Sequence, residues 1–183
     1  MPKPRIFMTR AIAPAAIERL SAQTDLEVWP HEAPPPYEIL IDRVQNATGI
    51  VSLLTDRIDA GLIAAAGPDF KVIAQMAVGF DNIDVAAATA RGIPVGHTPG
   101  VLTETTADFA WALLMAAARR VVEAHNEVQQ DIWRPWGPDV LTGQDIFRAT
   151  LGLVGFGRIG QAMAKRAQGF DMSILYHDLQ RFP

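Results

Sequence analysis

The segment at residues 150–178, TLGLVGFGRIGQAMAKRAQGFDMSILYHD, decides the fold of the second half of the chain. It joins an apolar strand pattern, a helix pattern and a second strand pattern that ends in a carboxylate. The strand-to-helix turn carries the pattern G-x-G-x-x-G, which in this context is typical of a dinucleotide-binding βαβ unit. The segment therefore predicts a Rossmann-type arrangement.

Each glycine of this turn answers a different physical need. Gly155 allows the tight turn, Gly157 lets the backbone approach a pyrophosphate, and Gly160 lets the helix pack closely on the strand. The unpaired N–H groups and the dipole of the helix N-terminus favour phosphate charge. A glycine-rich turn without a ligand is the alternative, but the strand–helix–strand context favours a phosphate site.

Asp178 lies 18 positions beyond Gly160, close to the ~20 positions at which an acidic residue binds the ribose 2′-hydroxyl of NAD. Its charge would repel the 2′-phosphate of NADP, so the sequence favours NAD. His177 and Arg181 lie nearby and leave NADP open. A solvated loop aspartate is the alternative interpretation.

The first hundred residues alternate short apolar strands with helix patterns. Strands are predicted at 5–10, 26–30, 49–54, 71–77 and 93–97, and helices at 14–23, 37–46, 59–66 (with Asp59 as N-cap) and 84–92. This repeat predicts a largely parallel sheet covered on both faces. We place a domain boundary near Gly100, which gives one domain at 1–100 and another at 101–183.

The segment from Thr103 to about Gln130 contains no Gly or Pro. We expect a single helix of about 40 Å, at 1.5 Å per residue, linking the two domains. Thr103, Thr105 and Thr106 are candidates for its N-cap. A loop with Trp133 and Trp136 follows.

A second motif at residues 76–84, MAVGFDNID, follows a predicted parallel strand. Ligands of such sheets bind outside the carboxyl ends of the strands. A loop containing Gly79 can expose successive N–H groups and form a small anion nest. A strand–helix turn capped by Asp81 or Asp84 is an equally good interpretation of these residues.

Composition excludes several classes of function. The 183 residues carry a net charge of −4, and their 16 Lys and Arg residues form no basic stripe, which argues against a nucleic-acid partner. The absence of Cys excludes disulfides, thiolate catalysis and cysteine metal sites, and we predict no metal. The longest apolar run, at 109–118, is half of the ~20 residues that a membrane span needs. We expect a cytoplasmic protein without membrane contact.

Three segments, VGFDNIDVAAATARGIPV, HTPGVLTETTADFAWALLMAAARR and LVGFGRIGQAMAKRAQGF, occur in this order. In order and spacing they closely resemble the D-isomer-specific 2-hydroxyacid dehydrogenases, and within that family the glyoxylate/hydroxypyruvate reductases. The similarity covers nearly all of the chain and is weakest at 20–48. It implies an α/β protein with a flavodoxin-like substrate domain, an incomplete Rossmann NAD-binding domain, and an active site in the cleft between them.

The resemblance also implies roles for individual residues. Val78 and Gly79 would offer N–H groups to the carboxylate of a small 2-keto or 2-hydroxy acid. The cofactor residues would be Leu102 and Thr106 along the nicotinamide, Arg158 and Ile159 over the pyrophosphate, and Asp178 on the adenosine ribose. The long helix and the tryptophan-bearing loop resemble the family's interdomain and dimer-contact elements, so we expect a homodimer in the full-length parent protein.

Family members are longer, and their catalytic Arg, Glu and His come from the later part of the cofactor domain. Reduction of a keto acid needs a proton donor, usually a His, and of the histidines only His97 ends a strand of the first domain. We therefore expect no catalytic residue here, and interpret the chain as an inactive fragment of an oxidoreductase acting on glyoxylate or hydroxypyruvate. The alternatives are an NAD-binding, corepressor-like interaction protein and a non-functional truncated gene product.

Overall fold

The computed structural model describes residues 2–182. The chain divides between Gly100 and Val101 into two compact units, called here the N-terminal unit and the C-terminal unit. Each unit is built from strands joined by helices. Among the described helices, none is both long and apolar enough to cross a membrane.

The N-terminal unit is a five-stranded parallel sheet with the strand order β2-β1-β3-β4-β5. Its strands are β1 (Arg5–Met8), β2 (Asp25–Val28), β3 (Gly49–Ser52), β4 (Val72–Gln75) and β5 (Val95–Gly96). The helices between them are α1 (Pro14–Gln23), α2 (Tyr37–Asn46), α3 (Ala60–Ala65) and α4 (Val85–Ala90). This order is that of flavodoxin-like sheets, so the predicted α/β class is confirmed.

The two faces of this sheet are covered unequally. On one face, Phe7, Ile50 and Ile73 lie side by side across β1, β3 and β4 and are buried under α2, α3 and α4. On the other face, Ile6 and Val72 are only partly buried. The packed face fixes the strands in register, and so aligns their carboxyl ends along one edge.

The C-terminal unit contains a parallel pair of strands, β6 (Thr150–Val154) and β7 (Ser173–His177). The helix between them, α7 (Arg158–Gln168), completes the predicted βαβ unit. Two further helices, α5 (Thr103–Ala118) and α6 (Val121–Gln129), precede the pair. Ala107 of α5 packs against Ala162 and Met163 of α7 in the core of this unit.

The prediction of one helix from Thr103 to about Gln130 is wrong. Arg120 adopts a left-handed conformation (φ 53°) and separates α5 from α6. The carbonyl of Ala118 is turned to another segment and accepts a hydrogen bond from the N–H of Gln144 (2.7 Å). Gly143 approaches so closely that a Cβ there would lie 2.2 Å from the same oxygen. A tertiary contact therefore ends a helix that local propensity would continue.

The predicted caps have different outcomes. The Asp59 carboxylate accepts from the N–H of Leu62 (3.0 Å) and caps α3, as predicted. The Asp84 carboxylate accepts from the N–H of Ala87 (2.9 Å) and caps α4. The expectation of a threonine cap on α5 is wrong, because Leu102 occupies the N-cap position and makes no side-chain capping hydrogen bond.

Candidate active site

A buried polar network lies at the carboxyl edge of the sheet in the N-terminal unit. The Ser52 hydroxyl donates to Gln75 Oε1 (2.6 Å), and Gln75 Nε2 donates to Asn82 Oδ1 (2.8 Å). Asn82 Nδ2 donates to the carbonyls of Leu53 (3.1 Å) and Asp56 (2.7 Å). The network ties the loop after β4 to the end of β3.

A buried ion pair extends this network. The Asp56 carboxylate accepts from the Thr9 hydroxyl (2.5 Å), the Leu53 N–H (2.7 Å) and Arg10 Nη2 (2.9 Å). Thr9 and Asp56 are fully buried, and Arg10 is largely so. Breaking such a pair would leave a buried charge without a partner. The ends of β1 and β3 are thus held together at the edge where ligands of parallel sheets bind.

The carbonyls of the loop after β4 are occupied by hydrogen bonds. The Ala77 carbonyl accepts from the N–H of Thr98 (2.9 Å). The Val78 carbonyl is bonded to His97 Nδ1 (2.9 Å), and the Gly79 carbonyl accepts from Gln75 Nε2 (3.4 Å). The N–H groups of Val78 and Gly79 donate to no protein group within residues 2–182. Two adjacent donors are therefore left for an external acceptor.

Gly79 contributes space rather than unusual backbone freedom. It does not have a positive φ, and a Cβ there would meet only Leu54 Cδ2 within 4 Å, at 3.6 Å. Leu54, which lies beside Gly79 in the fold, and the sequence neighbours Met76 and Val78 have exposed side chains that add apolar surface. The combination of two free N–H donors and apolar side chains fits a small carboxylate with a short carbon skeleton.

The glycine turn of the C-terminal unit has the geometry that its sequence predicts. Gly155 has a φ of 93°, and its N–H donates to the His177 carbonyl (2.8 Å). A Cβ on Gly160 would lie 2.4 Å from the Gly155 carbonyl oxygen, so only glycine fits there. Gly157 is exposed, and a Cβ on it would meet no heavy atom within 4 Å. The turn therefore has no room for a side chain at Gly160 but is open to solvent at Gly157.

The N-terminus of α7 is free to bind an anion. Gly157 is its N-cap and provides no side-chain cap, so the N–H groups of Arg158 and Ile159 in the first turn have no intrahelical acceptor. Both residues are exposed, and the Arg158 side chain adds positive charge. Unpaired donors, the helix dipole and an open glycine turn together fit a pyrophosphate.

Asp178 is attached directly to the glycine turn. Its carboxylate accepts from the N–H of Phe156 (2.6 Å) and from the N–H of Gln180 (3.1 Å). These two backbone bonds, with Phe156 the larger cause, lower the pKa of Asp178 below its ordinary value. The group is therefore ionised at neutral pH, with lone pairs left over to accept from hydroxyl groups.

Leu102 and Thr106 lie at the beginning of α5, which is anchored to α7 in the same unit. The Arg166 guanidinium of α7 is hydrogen-bonded to the Asp108 carboxylate, and it also contacts Glu104 Oε2 at 2.9 Å. Leu102 and Thr106 are exposed beside this anchor. All of the predicted cofactor residues thus belong to the C-terminal unit, and Val78 and Gly79 belong to the N-terminal unit.

Sequence reasoning missed the residues that hold the loop after β4. Thr9, Ser52 and Gln75 are buried polar residues that end or immediately follow apolar strands. The repeated pattern of a polar residue closing an apolar run was the available signal. Within residues 2–182, no group of three or more His, Cys, Asp or Glu side chains is arranged to hold a metal.

Comparison with known proteins places this geometry in a family. The profile of the D-isomer specific 2-hydroxyacid dehydrogenase catalytic domain matches residues 6–136. The profile of the NAD binding domain of the same family matches residues 111–182. Between them, the two profiles extend from the first strand to the end of the described chain.

Curated relatives of this chain include glyoxylate reductases. That of Korarchaeum cryptofilum is 54% identical over 177 residues, which cover 96% of this chain and 53% of the relative. That of Aeropyrum pernix is 49% identical over 185 residues, which cover 99% of this chain and 55% of the relative. The chain therefore spans about half the length of the curated relatives it matches.

Solved structures share the fold over nearly all of the chain. A protein of Thermus thermophilus superposes with a TM-score of 0.89 at 47% identity, covering 98% of this chain and 57% of that one. A glyoxylate reductase of Paecilomyes thermophila superposes with a TM-score of 0.81 at 30% identity, covering 100% and 58%. Both the sequence matches and the structural matches include proteins described as glyoxylate reductases.

Proposed function

The chain belongs to the D-isomer specific 2-hydroxyacid dehydrogenase family, and we propose that the full-length protein containing it reduces glyoxylate or hydroxypyruvate with NADH. The observation that carries this proposal is the pair of free N–H donors at Val78 and Gly79. A two- or three-carbon keto acid presents a carboxylate of matching size and little else to bind.

In this proposal, the N–H groups of Val78 and Gly79 bind the substrate carboxylate. Backbone donors hold the anion without a flexible side chain, and their hydrogen bonds to a charged group are stronger than neutral ones. The apolar side chain of Leu54 lies beside Gly79. It favours a substrate with a short carbon skeleton.

The cofactor would be held by the C-terminal unit. Arg158 and Ile159 would bind the pyrophosphate at the N-terminus of α7, and Leu102 and Thr106 would lie along the nicotinamide. Asp178, ionised and fixed to the glycine turn, would accept hydrogen bonds from the adenosine ribose and disfavour a 2′-phosphate. When bound, NADH supplies the hydride.

Proton transfer needs a group that residues 2–182 do not place at the site. His97 is the histidine bonded to the anion-binding loop, and its Nδ1 is bonded to the Val78 carbonyl. We therefore assign the acid, its carboxylate partner and the substrate cation to parts of the full-length protein outside this chain. The 87% and 90% exposed side chains of Trp133 and Trp136 support a homodimer contact in that protein.

The test uses the full-length protein and follows NADH oxidation with glyoxylate, hydroxypyruvate and pyruvate. We expect turnover with the first two, and a Gly79→Val variant with a raised KM for the keto acid but unchanged NADH affinity. Gly96→Val is the matched control, because a Cβ on Gly96 meets nothing within 4 Å and a Cβ on Gly79 meets only Leu54 Cδ2 at an ordinary contact distance of 3.6 Å. Absence of turnover with any 2-keto acid would refute the proposed reaction.

A KM that stays the same in Gly79→Val, with weaker NADH binding instead, would assign the loop to the cofactor. This result would leave the proposed reaction class unchanged, but it would refute the assignment of the substrate carboxylate to Val78 and Gly79.

A further inference from the structure

The geometry points to His97 as a positioning residue that aims the Gly79 N–H at the substrate carboxylate. This inference rests on the proposed function and adds a residue to it. His97 follows β5, whereas the loop that it contacts follows β4. Its ring bonds to the Val78 carbonyl (2.9 Å) and meets the Phe80 ring edge-on, with 5.1 Å between the ring centroids.

The hydrogen bond fixes the tautomer of His97. A carbonyl oxygen can only accept, so Nδ1 must carry a proton and donate to Val78. The contact with Phe80 limits rotation of the imidazole and keeps Nδ1 directed at that oxygen. Nε2 is the nitrogen left without a protein partner among the described residues.

The Val78 carbonyl and the Gly79 N–H belong to one planar peptide, so the direction of the carbonyl determines that of the N–H. The carbonyl and the N–H of one trans peptide point in opposite directions, and the described chain has no cis peptides. Because the Val78 carbonyl points at His97, the Gly79 N–H points away from it. The same holds for the preceding peptide, between Ala77 and Val78. The Ala77 carbonyl accepts from the Thr98 N–H (2.9 Å), so the Val78 N–H points away from Thr98.

The two donors therefore differ in how they are held. The Val78 N–H is oriented by a bond between main-chain groups, the Thr98 N–H and the Ala77 carbonyl, which truncation of a side chain does not remove. The Gly79 N–H is oriented by a side chain, which a substitution can remove. Loss of His97 should loosen one of two donors and weaken anion binding without abolishing it.

His97 is exposed, so a truncation leaves no cavity and the fold should tolerate the change. Asn can place its amide nitrogen close to the position of Nδ1, because both atoms are attached to Cγ. The conservative variant His97→Asn should therefore retain the orientation that His97→Ala loses.

The test compares His97→Ala and His97→Asn with the wild type in the full-length protein. Oxalate, a two-carbon dicarboxylate that cannot accept hydride, is titrated by calorimetry, and KM and kcat are measured for glyoxylate. We expect His97→Ala to raise both the oxalate Kd and KM about three- to tenfold, in line with one lost hydrogen bond, with kcat and NADH affinity nearly unchanged. His97→Asn should restore most of the binding.

His31→Ala is the matched control. His31 is also exposed and also meets an aromatic ring edge-on, Trp29 at 4.9 Å between centroids, but it lies in the loop after β2. Wild-type oxalate affinity in folded His97→Ala would overturn the positioning role, whether or not the protein turns over glyoxylate. A collapse of kcat at unchanged KM would instead make His97 a proton donor.

Oxalate binding by a wild-type protein that reduces no keto acid would refute the proposed reaction and leave the role of His97 to be decided by the variants. If the wild type binds no oxalate, the anion site itself is refuted, and the role of His97 with it.

Discussion

At the scale of single residues, the glycine turn separates a folding requirement from a binding requirement. The Cβ of Gly160→Ala would overlap the Gly155 carbonyl, whereas the Cβ of Gly157→Ala would enter open space. We expect Gly160→Ala to lower both the melting temperature and NADH affinity, and Gly157→Ala to lower NADH affinity alone, by about tenfold or more because its methyl group blocks the pyrophosphate. Thermal melting and fluorescence titration of the full-length protein measure the two effects. Equal melting temperatures for both variants would contradict the overlap between a Cβ at residue 160 and the Gly155 carbonyl.

Asp178 offers a second test at this scale. The Asp178→Asn side chain can still accept from the Phe156 N–H, but it no longer repels a 2′-phosphate. The preference for NADH over NADPH should narrow in this variant while the turn stays folded. Fluorescence titration with both cofactors gives the ratio. A wild-type protein that binds the two equally would refute the assignment of this carboxylate to NAD selection.

The structural roles of some residues could be predicted from the sequence, and those of others could not. Gly155 and Gly160 are constrained by the local backbone, so the motif alone located both and predicted what each must do. Gln75 and Asn82 act through a contact between a strand end and a loop seven residues later. His97 reaches the loop across 19 residues. Their positions in the sequence do not indicate that these side chains meet the loop, so the hydrogen bonds of these three residues are visible only in the fold.

At the scale of elements, the N-cap of α3 should make stability depend on pH. The Tyr37 hydroxyl (2.5 Å) and the Leu62 N–H (3.0 Å) donate to the Asp59 carboxylate, and together with Arg57 they hold its pKa below the ordinary value. The charged form is favoured in the folded state. The resulting stabilisation is present above the unfolded pKa of ~3.9 and is lost as pH falls through the lower folded pKa.

Replacing this cap tests the dependence. Asp59→Ala should lower the free energy of unfolding at neutral pH by about 1 kcal/mol, the usual cost of a lost N-cap. The difference from the wild type should shrink on acidification. Asp59→Asn, which can cap but cannot titrate, should show a weaker acid dependence than the wild type. Denaturant unfolding at several pH values measures all three, and parallel curves for wild type and Asp59→Asn would contradict the role of this carboxylate.

The elements also show where periodicity succeeds and where it fails. The strand and helix patterns of the βαβ units were sufficient because each element is defined by its own apolar face. The division between α5 and α6 could not be found in this way, since Arg119 and Arg120 are good helix formers. The interruption comes from Gly143 and Gln144, which lie more than twenty residues away and capture the Ala118 carbonyl.

At the scale of the whole molecule, two apolar surfaces are incompletely covered by the residues that the structure describes. In the N-terminal unit, one face of the sheet leaves Ile6 and Val72 partly exposed. In the C-terminal unit, the two-stranded sheet leaves Val154 93% exposed and Leu175 66% exposed. Open strand edges with apolar faces promote association between chains.

The 183-residue chain expressed alone should therefore associate and show no turnover. Size-exclusion chromatography should show oligomers or aggregates, and glyoxylate reduction should not exceed the rate without enzyme, since loss of positioned proton transfer alone costs ~10²–10⁴-fold. The full-length protein should remove both defects. Robust NADH-dependent reduction by the purified 183-residue chain would contradict this expectation and would favour His97 as the acid.

The break between α5 and α6 at Arg120 should also be detectable in the rate at which backbone amides exchange with deuterium. The first hydrogen bond of α6 runs from the Ala124 N–H to the Arg120 carbonyl (3.0 Å). The preceding amides, those of Val121, Val122 and Glu123, have no acceptor among the described residues. A continuous helix would protect this stretch as one block. Two separate helices instead predict that the amides at the start of α6 exchange faster than those within α5 and within the rest of α6. The opening of each helix can then be measured separately.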